Sequence, residues 1–172
     1  MNKLKTIIFY IGIIWTWLIQ LYLLLFIYED GRSLLSLLFN SKYQKDFFKS
    51  EAMRLDNQSL TMVAIGYIAM LLATIALIFV LGYIRSLLKN INKNVFFATS
   101  NMKTLKKLSI STALLTIASY IKNYIRSSAF DFRDIHYTSS WNYPFYFLVI
   151  LLLVYYIFKK GLQLQEEANK II

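Results

Sequence analysis

The chain contains no cysteine, which excludes disulfides, thiolate zinc sites, iron–sulfur clusters and thiol nucleophiles from the start. Its single histidine, His136, rules out any metal centre built on several imidazoles. The one proline, Pro144, falls in the first turn of an apolar run, where its missing N–H costs little. Acidic residues are scarce, nine Asp/Glu against nineteen Lys/Arg, and none interrupts the long apolar runs. Intramembrane carboxylates, broken helices and repeated halves, the usual marks of a transporter, are therefore missing. No Ser/His/Asp spacing or Gly-rich phosphate loop is present either. The expectation is a non-enzymatic protein with no catalytic residue, cofactor or resident metal.

What the sequence does contain is apolar mass. Hydrophobic residues make up 58% and the mean hydropathy is +0.50, beyond an ordinary soluble domain. A membrane helix needs roughly 20 mostly apolar residues. Residues 7–28 and 60–84 meet that without a formal charge. A shorter run at 142–158 also lacks charge and is bracketed by Trp141, Tyr143, Tyr155 and Tyr156, amphipathic rings suited to headgroup level. The fourth candidate, 108–125, is rich in Ser and Thr and contains Lys122, a side chain able to snorkel from near the outer end of its span.

Charge placement argues for counting that polar run as a span. With four spans, the N-terminus, loop 85–107 and tail 159–172 share one side with eleven Lys/Arg and two acids. The other side carries eight Lys/Arg and seven acids. The positive-inside rule then puts both termini in the cytoplasm. With three spans, Lys159 and Lys160 would be forced outside. The first 28 residues resemble a signal peptide in charge and hydrophobicity, but the apolar run is long and leads into "EDGRS" with no small-residue cleavage pattern, so a retained anchor is expected.

The sequence thus predicts an all-α membrane protein: a four-transmembrane-helix bundle with a cytoplasmic extension of the fourth helix, one domain over residues 1–172. External loop 29–59 carries Leu34, Leu35, Leu37, Leu38, Phe39, Phe47 and Phe48, a pattern too apolar for a linker, and predicts one or two short helices. External loop 126–141 gathers Asp131, Asp134 and His136. These could ligate a cation or titrate with pH, although such loops are ordinarily solvated or internally paired.

Within the third span, Ser109, Thr112, Thr116 and Ser119 recur at helical spacing and continue to Asn123. Such a stripe can line a water path, bind a ligand, or let helices approach and share hydrogen bonds; packing is the favoured reading. Gly66, Ala69, Ala73 and Ala76 form a matching small-residue stripe on the second span. Gln20, alone among apolar neighbours, is expected to make a helix–helix hydrogen bond.

The cytoplasmic loop holds Arg85, Lys89, Lys93, Lys103, Lys106 and Lys107 without an acid, which suits the anionic inner leaflet or a protein contact; direct nucleic-acid binding is not expected. Ser100 or Asn101 is placed to cap the helix that follows. In the tail, Lys159, Lys160, Gln163, Glu166, Glu167 and Lys170 share one helical arc. Gly161, Leu162, Leu164, Ala168, Ile171 and Ile172 share the other, with Gln165 and Asn169 inside it. That greasier face is expected to dock on the turn around Met102, Leu105 and Leu108, with a protein-binding face or the membrane surface as the alternatives.

Two cytoplasmic stretches, "NKNVFFATSNMKTLKKLS" and "IFKKGLQLQEEANKII", resemble in order and separation the two signature segments of the bacterial domain-of-unknown-function family 2975, small four-pass membrane proteins. Phe96 follows Val95 where Pro-Phe is typical, and Ala168, Asn169 and Lys170 replace the usual ending. The resemblance implies four spans in a bacterial cytoplasmic membrane and association with small helix-turn-helix regulators. With the charge pattern, it leads to the expectation that a cytoplasmic platform of Lys103, Lys106, Lys107, Gln165, Glu166 and Glu167 binds or sequesters such a regulator in response to an envelope signal. The alternatives are an immunity or envelope-stress protein acting through the external loop, and a small-solute carrier or transporter accessory subunit.

Overall fold

The computed structural model describes residues 3–51, 60–93, 98–129 and 143–170. Nearly all of them are helical, in α1 (Lys3–Phe39), α2 (Ser41–Glu51), α3 (Leu60–Asn92), α4 (Thr99–Ala129) and α5 (Tyr143–Lys170). The protein is therefore all-α, and α1, α3 and α5 are long and apolar enough to cross a membrane. At about 1.5 Å per residue, α1 measures about 55 Å, α3 about 50 Å and α5 about 42 Å. Each exceeds the roughly 30 Å of a hydrocarbon core.

All the long helices overrun the stretches expected from hydropathy, because hydropathy marks where lipid is tolerated and not where a helix stops. α1 passes without a break through Glu29, Asp30, Gly31 and Arg32 to Phe39. No proline stops it, and a single glycine costs only about 1 kcal/mol. Leu37, fully buried, anchors the added turns. Asn40 ends the run: its N–H donates to the Ser36 carbonyl at 3.0 Å, while its Oδ1 accepts from the Tyr43 N–H at 3.0 Å, so it caps α2. Gln44 Nε2 reaches back to the Leu37 carbonyl at 2.7 Å. The expected short helix in loop 29–59 is thus α2, hinged against the end of α1.

α3 is the central element. It packs on α1 on one side and α4 on the other, and α5 packs on α4; among the described residues the α1 backbone does not approach α4 or α5. The four long helices therefore form an open row. Ala64, Ala69, Ala73 and Ala76 are buried on α3, and Ser109, Ser111, Thr112, Thr116 and Ala118 are buried on α4. Small side chains on both helices bring their backbones close. At Gly66 a β-carbon would sit 3.2 Å from Ile125 Cγ2, and at the other end Asn90 bonds Asn101, which fixes the pair as antiparallel. Larger side chains meet only below this zone, where Val80, Leu105, Leu108 and Leu151 form a small core ringed by Tyr83, Ile84, Leu87, Val154, Tyr155 and Phe158.

The surface has inverted polarity. α4 buries Ser109, Thr112 and Thr116 and exposes Ile110, Leu114, Ile117 and Ile121. α1 and α5 present apolar side chains over most of their circumference, among them Ile8, Leu25, Leu153 and Ile157. Helices apolar all round belong in lipid or a deep core.

Ala69→Leu, which adds three carbons where only 3% of the residue is exposed, should destabilise the α3/α4 pair by about 1–3 kcal/mol. Leu72→Ala, on the exposed side of the same helix, should change stability by no more than about 0.5 kcal/mol. Unfolding midpoints in mixed micelles, followed by far-ultraviolet circular dichroism, check both.

Candidate functional site

Four groups of chemistry-bearing residues compete for attention. The hydroxyl stripe of α4 is occupied with its own helix. Ser109 Oγ donates to the Leu105 carbonyl at 3.0 Å, Thr112 Oγ1 to Leu108 at 2.9 Å and Thr116 Oγ1 to Thr112 at 2.8 Å. All three residues are buried, and Thr112 is fully so; Ser119 and Asn123 are half-buried. With their protons committed to the backbone, these side chains contribute small size and internal satisfaction.

The second group lies where α3 gives way to α4. Asn90 Nδ2 donates to Asn101 Oδ1 at 2.5 Å, and Asn101 is 1% exposed. The Ala98 carbonyl receives the N–H groups of Asn101 and Met102, so α4 starts earlier than expected. Asn101 lies within its first turn, tying it to α3. Asn92 Oδ1 is buried without a hydrogen-bond partner among the described residues. From this end of α4, Lys103, Lys106 and Lys107 are exposed.

Because α5 runs antiparallel to α4, its C-terminal end projects at this same end. It remains helical to Lys170. Gly161 and Leu162 are half-buried, but every residue from 163 to 170 is exposed, including Gln165, Glu166 and Glu167. Leu164 is 65% exposed. The expected dock of this tail on Leu105 and Leu108 does not form. Those leucines are covered instead by Leu151, Val154, Tyr155 and Phe158. The reason is length: Phe158 already packs on the cluster that contains Leu105, and α4 begins only six residues before Leu105. A straight α5 consequently passes the end of α4, and among the described residues nothing covers residues 163–170.

The third group, Asp131, Asp134 and His136, lies outside the described residues.

The fourth was not foreseen. Arg85, assigned by hydropathy to the cytoplasmic loop, is buried against α1 at 9% exposure. Its Nη2 donates to Gln20 Oε1, and its Cζ lies 3.8 Å from the centre of the Trp17 ring, a cation–π distance. Gln20 is itself 8% exposed, and its Nε2 donates to the Ile78 carbonyl at 2.7 Å. The expected interhelical hydrogen bond of Gln20 therefore exists, and it carries an arginine as well. Trp17 and Gln20 are three residues apart, on one helical face. They lie in the middle of the uncharged run 7–28, so α1 and α3 pack with their apolar runs staggered along the axis. The available signal was the lone Gln20 one turn from Trp17; the register that brings Arg85 to them has no trace in either helix's periodicity.

No protein-family model, curated protein or solved structure matches the chain.

Gln20→Leu removes the side-chain acceptor that Arg85 Nη2 bonds and should cost about 1–3 kcal/mol. In a double-mutant cycle with Arg85→Met the two losses should couple by at least about 0.5 kcal/mol. Micellar unfolding of the four proteins measures this, and strict additivity would show that the contact carries no energy.

Proposed function

We propose that this is a non-enzymatic bacterial cytoplasmic-membrane protein that binds or sequesters a small helix-turn-helix regulator at its cytoplasmic end. α1, α3, α4 and α5 cross the bilayer, and both termini face the cytoplasm. What supports α4 as the fourth span is its inside-out polarity: Ser109, Thr112 and Thr116, which lower its hydropathy, are buried, and Ile110, Leu114, Ile117 and Ile121 are exposed. An average over the helix hides that segregation. The positive-inside count then orients the bundle.

The observation that carries the functional reading is the uncovered end of α5. A helix continuing through residues 163–170 with every side chain exposed gains nothing from internal packing, and it stands at the end that also exposes Lys103, Lys106 and Lys107. Basic groups on α4 and Glu166 and Glu167 on α5 present both signs of charge, which gives a partner orientation and register. The buried, self-bonded hydroxyls of α4 favour this reading over a solute path along the stripe. The family resemblance supplies the class of partner.

Two measurements test this. A photo-crosslinking residue at Lys106 and, separately, at Gln165 in native membranes should capture the same soluble DNA-binding protein. Capture of this chain alone from both positions would remove the platform. Because the native chain has no cysteine, single cysteines at Gln44, Lys107 and Gln165 report topology cleanly. An impermeant maleimide should label only Gln44→Cys in intact cells, and labelling of Gln165→Cys there would leave α5 crossing in the opposite direction.

A further inference from the structure

Arg85 combines deep burial with a charge that is bonded to no carboxylate among the described residues. Its guanidinium offers five N–H donors, and among the described residues Gln20 supplies its side-chain hydrogen bond while Trp17 covers one face. No acidic residue occurs anywhere in α3 or α4, nor in α1 before Glu29. An arginine nine-tenths withdrawn from water is costly without an opposite charge. The described residues bond Arg85 to no carboxylate, which leaves its charge open to an anion from outside the chain.

We propose that Arg85, held by Gln20 and Trp17, is a binding site for a phosphate oxyanion, supplied by a phospholipid headgroup. Arginine presents parallel N–H groups that match two phosphate oxygens. Trp17 is half exposed beside it, and Arg85 directly follows the uncharged run 60–84 of α3, at the end of a span where headgroups begin. The exposed Ile14, Leu18 and Leu21 of α1 extend an apolar surface along which acyl chains lie. Lys89, one turn further along α3 and exposed, adds attraction for an anionic headgroup. The site is independent of the proposed partner-binding end, since it lies between α1 and α3 and uses none of the platform residues.

Native mass spectrometry of the full-length protein in neutral detergent tests the site directly, with dioleoyl phosphatidylglycerol, dioleoylglycerol and inorganic phosphate as probes. The unmodified protein should retain one phosphatidylglycerol and no dioleoylglycerol, which has the same chains without the phosphate. Arg85→Gln should weaken retention roughly tenfold or more. Gln20→Glu should do the same by placing an internal carboxylate against Arg85, and it decides the matter if Arg85→Gln loses its helicity. Displacement of the lipid by millimolar inorganic phosphate would keep the phosphate site and identify a free anion as its source. Equal retention of dioleoylglycerol, or phosphatidylglycerol binding undiminished in Gln20→Glu, would overturn the proposal.

Discussion

The close approach of α3 and α4 through small side chains is the constraint on which the other contacts depend. In a chain this apolar, burying hydrocarbon distinguishes poorly between inside and outside, because lipid accepts leucine as readily as a neighbouring helix does. Selection of one arrangement falls to groups lipid does not accept. Ser109, Thr112 and Thr116 satisfy their hydroxyls on their own helix and still gain by turning away from the apolar surface. The buried alanines of α3 keep that helix narrow where it packs on α4. Once that pair is set, α5 can cover Leu105 and Leu108, and α3 presents its remaining face to α1.

That remaining face works by a different principle. Here one polar pair, Arg85 with Gln20, specifies the contact where small residues specify the other. The pair fixes how far α1 slides along α3, since a shift of one helical turn would strand both groups among apolar side chains. A buried polar contact of this kind specifies register more than it adds stability. The consequence is an α1 whose apolar run is offset from that of α3, with Arg85 over its middle.

The two ends of the molecule differ in the same terms. At one end α1 folds back into α2 through Asn40, closing its own hydrogen bonds. At the other, α3 and α4 are clamped by Asn90 and Asn101, and α5 simply runs past them. It is at this end, where one helix is finished by a clamp and its neighbour overshoots, that the partner is proposed to bind. The site proposed at Arg85, by contrast, belongs to the boundary between the protein and its lipid.

By itself the sequence determined that the chain is helical and rich in lipid-compatible surface, which stretches of α1, α3 and α5 can span, and which faces of α3 and α4 carry small or hydroxylated residues. Those properties follow from composition and from a period of about 3.6 residues, both local. Only the tertiary structure decided that α1 continues to Phe39, because a helix proceeds until something stops it and Leu37 found a buried site. Only it decided that the tail of α5 stands alone, because that depends on where a different helix begins. The position of Arg85 was decided the same way: its isolated character is that of a cytoplasmic-loop residue, and the sliding register of α1 against α3 makes it a buried cation. Register between helices is set by pairs distant in sequence, and no periodicity within either helix encodes it.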